Sequence, residues 1–169
     1  LIVFHSLSKR SNLPGLRSGF CAGGCRVMHL FSGLRAIAGP QSPLAVQAAA
    51  ALAWSDDAHV QENRQKYSQK FNAAEKLFAG TYDFYRPDGG FFLWLNVGDG
   101  EAVARHLWAS QGVRVLPGAY LARDGGGGDN PARAYIRVAL VDEQETMTVA
   151  LKRLKEGLES FNPVTKGAT

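Results

Sequence analysis

Phe4-His5-Ser6-Leu7-Ser8-Lys9-Arg10-Ser11-Asn12-Leu13-Pro14-Gly15-Leu16-Arg17-Ser18-Gly19-Phe20 is the stretch that decides the fold. The apolar run from Leu1 to Phe4 before His5-Ser6 predicts a short buried strand. Residues 6–18 read as a loop punctuated by Pro14-Gly15, and residues 19–23 as a second short strand of small side chains. The loop holds one lysine, Lys9, with the hydroxyls of Ser6 and Ser8 before it and Arg17 eight residues after it. A lysine that condenses with an aldehyde must shed its proton, and neighbouring cations with partial burial favour the neutral amine. Arg10 beside Lys9 and Arg17 a loop away are compatible with that. A phosphate is held by hydroxyls, backbone N–H groups and a fork-shaped cation, and Ser6, Ser8 and Arg17 supply those types. Gly15 and Gly19 allow tight turns on either side of Arg17. A lone Ser-x-x-Lys is an ordinary surface lysine; the joint pattern is far more specific.

Downstream, residues 26–38 read as a helix stopped by Gly39-Pro40. Pro43 fits the first turn of a second helix running to Trp54. Residues 58–79 are the clearest long helix: Val60, Arg64, Tyr67, Phe71, Ala74 and Phe78 step by three and four along one face. Asp56 or Asp57 can cap its start and Gly80 suits its stop. After Asp88-Gly89-Gly90 the pattern changes to a strand at 91–95, a helix at 101–111 closed by Gly112, and strands at 113–116 and 134–140. The last helix carries Asp142 as N-cap with Glu145 three residues on, a capping-box pattern, and the stripe Met147, Leu151, Leu154, Leu158 and Phe161. Asn162-Pro163 ends it and residues 164–169 read as a frayed tail. The expected architecture is an α/β remnant up to about residue 58, then a compact α+β lobe over 59–169. Gly125 to Gly128 lacks the strand-to-helix setting of a phosphate loop and reads as a connection between strands.

The chain has 169 residues and a net charge of +4. Its arginines are scattered rather than clustered, which argues against a nucleic-acid partner. No apolar run reaches the roughly 18–20 residues of a membrane span, and no signal peptide is visible. Cys21 and Cys25, if both on one strand, stand about 13 Å apart, too far for a disulfide, so free thiols are expected. His5, His29, His59 and His106 share no metal-ligand spacing. Trp54, Trp94 and Trp108 read as core aromatics. Opening on Leu1 suggests a fragment.

The quoted stretch resembles the cofactor-lysine segment of fold-type I pyridoxal-phosphate aminotransferases of class I/II, and is most similar to the N-succinyldiaminopimelate aminotransferase branch. The resemblance runs over essentially the whole chain, as the C-terminal portion of a longer enzyme. By register it implies Lys9 as the lysine that binds the cofactor aldehyde, and Ser6 and Arg17 as the phosphate-holding pair, with Ser8 a weaker carry-over. Pro117-Gly118-Ala119-Tyr120-Leu121 followed by Tyr135-Ile136-Arg137-Val138-Ala139-Leu140 resembles the family's closing segment, where an arginine clamps the substrate carboxylate; Arg137 matches it. An arginine in an apolar strand is costly without an anionic partner, and a neighbouring carboxylate is the structural alternative. Asp88-Gly89-Gly90-Phe91-Phe92-Leu93-Trp94 resembles the family's glycine-then-aromatic strand.

The resemblance implies amino-group transfer between an amino acid and a 2-oxo acid on pyridoxal 5'-phosphate. An N-succinyl-diaminopimelate/2-oxoglutarate pair of lysine biosynthesis is the expected substrate set, in a cytoplasmic homodimer without metal. The loop near Gly39-Pro40 is expected to approach the partner subunit's site. The family's other cofactor contacts lie upstream of its lysine, so these residues alone are expected to be weakly active or inactive. Another outcome on the same cofactor and a purely structural dimer lobe are further readings. So is a cofactor-binding sensor domain of a transcription regulator, without turnover.

Overall fold

The computed structural model describes residues 1–39, 41–125 and 127–161. Pro40, Gly126, Asn162-Pro163 and the tail at 164–169 lie outside them. The chain divides into two compact units, Leu1–Gln65 and Lys66–Thr169, and the division falls inside one helix.

In the first unit, β1 (Ile2–Ser6) and β2 (Gly19–Gly23) form an antiparallel ribbon with His5 opposite Phe20 and Ser6 opposite Gly19. The ribbon closes around the lysine stretch. That stretch is not the irregular loop expected: Leu7–Arg10 forms one helical turn, α1, and Pro14–Leu16 a 3-10 turn. Ser6 makes the difference, because its Oγ accepts from the Ser8 N–H and caps the turn. Leu7 seals it, fully buried, with its N–H on the Ser18 carbonyl. Helices α2 (Cys25–Ala38) and α3 (Leu44–Ser55) follow. The buried strand expected at residues 1–4 is exposed instead, with Phe4 at 68%. Apolar pattern reports what a strand can bury, and within this unit nothing covers either ribbon face fully. α2 likewise buries no residue. Cys21 lies on β2 and Cys25 opens α2, both as free thiols.

Helix α4 (Ala58–Phe78) is capped as expected, with the Ala58 N–H on Asp56 Oδ1 at 2.8 Å. Its buried stripe includes Val60, Phe71, Ala74 and Phe78, whereas Arg64 is exposed.

The second unit is a three-stranded antiparallel sheet in the order β3-β5-β4, built from β3 (Phe92–Asn96), β4 (Leu116–Pro117) and β5 (Tyr135–Ala139). Helices α5 (Gly100–Gln111) and α6 (Gln144–Ser160) accompany it. Leu93, Leu95, Ile136 and Val138 face one way and join Leu107, Leu151 and Leu154 in the core. Strand β4 is shorter than the four residues expected, because Gly112 turns left-handed and the Val113 N–H returns to the Leu107 carbonyl. The capping box expected at Asp142 does not form: Glu143 occupies the N-cap position without a side-chain bond. Asp99 does cap α5, accepting from Glu101 and Ala102 N–H. Trp108 is exposed rather than core, with Arg114 over its ring. Lys70 is buried and donates to the Leu140 carbonyl at 3.2 Å, closing the end of β5. No helix among the described residues is long and apolar enough to cross a membrane.

Candidate active site

The capped turn α1 sets the first group of residues. Ser6 Oγ and Ser8 Oγ lie 3.0 Å apart, and Ser6 Oγ is 3.3 Å from the Ser18 carbonyl that it donates to. Lys9 follows on the same turn with its side chain exposed. Arg17 stands in the left-handed region at φ 50° and donates to the Pro14 carbonyl of its own turn at 3.0 Å. The fold thus brings Ser6, Ser8 and Lys9 together on four residues. The Arg17 guanidinium bonds its own loop rather than the two hydroxyls. A cleft of about 540 Å³ between the ribbon and α2 reaches Ser6, but its lining, chiefly Phe4, Phe20, Phe31 and Arg35, includes neither Lys9 nor Arg17.

The residues after Lys9 are anchored in a way that local sequence does not reveal. The Arg10 guanidinium donates to the Ala53 carbonyl at 2.7 Å, pairs with Asp57 at 2.5 Å and lies over the Trp54 ring. Ser11 Oγ meets His59 Nε2 at 2.8 Å, and His59 Nδ1 meets Asp56 at 2.7 Å. These bonds, together with the Ala58 N–H, hold the Asp56 carboxyl below its usual pKa range, the His59 bond contributing most. Among the described residues no group of acidic, histidine and cysteine side chains has metal-holding geometry.

In the second unit Arg137 sits in the middle of β5, opposite Trp94 on β3. Strand alternation turns it away from the core face, so it is half-buried among aromatic side chains. Its guanidinium lies 4.3 Å from the Phe92 ring centre, and Trp94 stacks on Tyr135 at 5.3 Å. The alternative of a neighbouring carboxylate fails, since among the described residues Arg137 forms no ion pair with one. Cation–π contact solvates a guanidinium without neutralising it, so Arg137 keeps a charge suited to a carboxylate ligand. Phe92 had no assigned chemical part in the sequence reading. Its place two residues before Trp94 puts it on Arg137's face, which is visible only once the strand register is known.

Residues 1–154 match the family model described as aminotransferase class I and II. The chain is 34% identical over 155 residues to the 4-dedimethylamino-4-oxo-anhydrotetracycline transaminase of Streptomyces rimosus, covering 91% of this chain and 41% of that protein. It is 27% identical to an LL-diaminopimelate aminotransferase of Natranaerobius thermophilus, covering 92% of this chain and 40% of that one. A crystal structure of an aminotransferase from Neisseria meningitidis superposes with a TM-score of 0.83 at 40% identity, over 94% of this chain and 40% of that chain. The chain therefore spans about two fifths of the length of these relatives. Its fold is that of the corresponding part of fold-type I enzymes, whose family uses pyridoxal phosphate. By its matched sequence and its fold, the chain belongs to the class I and II aminotransferases.

Proposed function

We propose that this chain is the lysine-bearing and small-domain part of a pyridoxal-phosphate transaminase, with residues 1–58 from the large cofactor-binding domain and 59–169 forming the small domain. The observation that carries the reading is the capped turn: Ser6 and Ser8 hydroxyls within one hydrogen bond of each other and Lys9 next in line. That donor set fits a phosphorylated aldehyde, with hydroxyls for the phosphate and an amine for the carbonyl. Arg17, exposed on the same stretch, is the fork-shaped cation of the set. When bound, pyridoxal phosphate supplies an electron sink that weakens the substrate's α-C–H bond. Lys9 would tether it through its amine and, once the incoming amino acid has displaced that amine, would move the proton at the substrate α-carbon, as base and then as acid. Arg137 binds the α-carboxylate and so orients that C–H bond. A second substrate, a 2-oxo acid, leaves as the new amino acid, which gives ping-pong kinetics.

The substrate reading is an N-succinyl-diaminopimelate amino donor with 2-oxoglutarate as acceptor, in lysine biosynthesis. It rests on the likeness of the Lys9 stretch and on relatives named for LL-diaminopimelate. A cytoplasmic homodimer is the proposed assembly. The uncovered apolar faces of β1, β2 and α2 support a chain that packs against further protein.

The test uses the whole protein with pyridoxal phosphate, borohydride reduction and peptide mass mapping. The expected result is one reduced adduct on Lys9, lost in Lys9→Ala, and glutamate formation from 2-oxoglutarate with N-succinyl-LL-diaminopimelate in preference to LL-diaminopimelate. An adduct that persists on another residue in Lys9→Ala overturns the lysine assignment. The reverse donor preference overturns the substrate.

A further inference from the structure

We infer that the corner between α3 and α4 is a clasp that positions Lys9, with Arg10 and the Ser11–His59–Asp56 chain as positioning residues. The inference rests on the proposed role of Lys9. Three consecutive residues after Lys9 each bond this corner. Arg10 uses its whole fork: Nη1 on the Ala53 carbonyl, Nη2 on Asp57, and longer contacts to the Trp54 and Asp56 carbonyls at 3.5 and 3.4 Å. Its side chain is only 11% exposed. Ser11 bonds His59, which bonds Asp56, whose other oxygen caps α4. Asn12, at φ 52°, donates to Asn63 at 3.0 Å.

The same corner holds the other side of the turn. Trp54 packs edge-on against His5 at 5.3 Å and Phe20 at 5.0 Å. Those two residues face each other across the ribbon, one just before Ser6 and the other just after Gly19. The backbone that carries Lys9 is therefore gripped on both flanks by residues 53–63. A reacting amine gains rate from being held near its target, and a small misplacement is costly.

Ser11, His59 and Asp56 have the order of a hydrolytic triad. The Ser11 N–H is committed to the Leu7 carbonyl at 3.1 Å, so it is not available to an oxyanion. A structural relay is the function these bonds support.

The test measures the rate at which Lys9 forms its reducible adduct with pyridoxal phosphate, in the whole protein, at a temperature where circular dichroism shows every variant folded. Arg10→Met is expected to slow it about tenfold, and Arg10→Lys to restore little, because one ammonium cannot reproduce the fork. Asp57→Asn, at an exposed side chain that folding tolerates, is expected to slow it about two- to threefold. Ser11→Ala should slow it and Ser11→Thr, which keeps the hydroxyl, should not. Arg86→Met serves as control, since Arg86 makes a comparable set of bonds within the second unit. A stability role alone lowers the melting temperature and leaves these rates unchanged, and that outcome overturns the clasp. Absence of any Lys9 adduct in the unsubstituted protein overturns the proposed function, and the clasp with it.

Discussion

The guanidinium carbon of Arg137 lies 4.3 Å from the centre of the Phe92 ring, one diagonal step across the β3–β5 ladder. The diagonal matters because Phe92 and Arg137 then share the face turned away from the core, while Leu93, Leu95, Ile136 and Val138 fill the other. The ring lies against the guanidinium as a cation–π partner, and a guanidinium carries the fork of N–H donors that grips a carboxylate by two parallel bonds.

Arg137→Lys is expected to raise KM for both the amino acid and the 2-oxo acid by about ten- to a hundredfold, the range of a lost charged hydrogen bond. Phe92→Leu should raise KM about two- to fivefold, as a lost cation–π contact implies, with a small effect on folding. Steady-state kinetics on the whole protein read both. An unchanged KM in Arg137→Lys removes Arg137 from the substrate site.

Beneath the same face, Gly118 admits no side chain. A Cβ there would meet the Ala132 carbonyl oxygen, the Tyr135 carbonyl oxygen at 2.9 Å and Trp94 at 3.0 Å. The first two are backbone atoms and cannot swing aside. Gly118→Ala is expected to cost about 2–3 kcal/mol of stability in urea unfolding, the upper range of overpacking. Gly89→Ala, where a Cβ meets nothing within 4 Å, serves as its control and should cost well under about 1 kcal/mol. Equal costs would remove close approach as the reason for glycine at position 118.

Periodicity made the helices legible. Met147, Leu151, Leu154 and Leu158 recur every three or four residues and all are buried. Lys9 and Arg137 stood out as candidates for another reason: a cation in an unusual local setting is visible within a dozen residues. What escaped the sequence depended on partners far along it. Arg10 and Ala53 are 43 residues apart, and Ser11 and His59 are 48 apart, so no local spacing could announce the corner that holds the turn. Trp108 escaped because a helix has an outer face too, and there Arg114 is enough to occupy the ring.

Cap chemistry was legible only in part, and it yields a direct test. Asp99 and Asp142 both precede helices. Asp99 accepts from two orphan N–H groups of α5, whereas Asp142 stands one residue before the N-cap of α6. Asp99→Ala is expected to destabilise by about 1 kcal/mol and Asp142→Ala by less than half of that. Chemical denaturation of the two variants separates them. A larger loss in Asp142→Ala would restore the capping box.

Acid and alkali should act on different units. The Asp56 carboxyl is held below its ordinary value near 4, first by its bond to His59 and then by the Ala58 N–H. A depressed folded pKa gives stability that is present above the unfolded value and is lost as the pH falls through the folded one. The first unit should therefore weaken below about pH 4, and Asp56→Asn should flatten part of that loss. Tyr82 has the opposite sign. Burial, with the Glu159 carboxylate nearby, raises its phenol above about 10. The folded state then favours the neutral phenol, so its contribution is complete below about pH 10 and disappears as the pH rises through the raised value. Amide hydrogen exchange resolved by unit, compared between the parent protein, Asp56→Asn and Tyr82→Phe, reads both arms. Parallel acid profiles for parent and Asp56→Asn would show that the His59 bond does not couple protonation to folding. A matching pair of alkaline profiles in Tyr82→Phe would show the same for Tyr82.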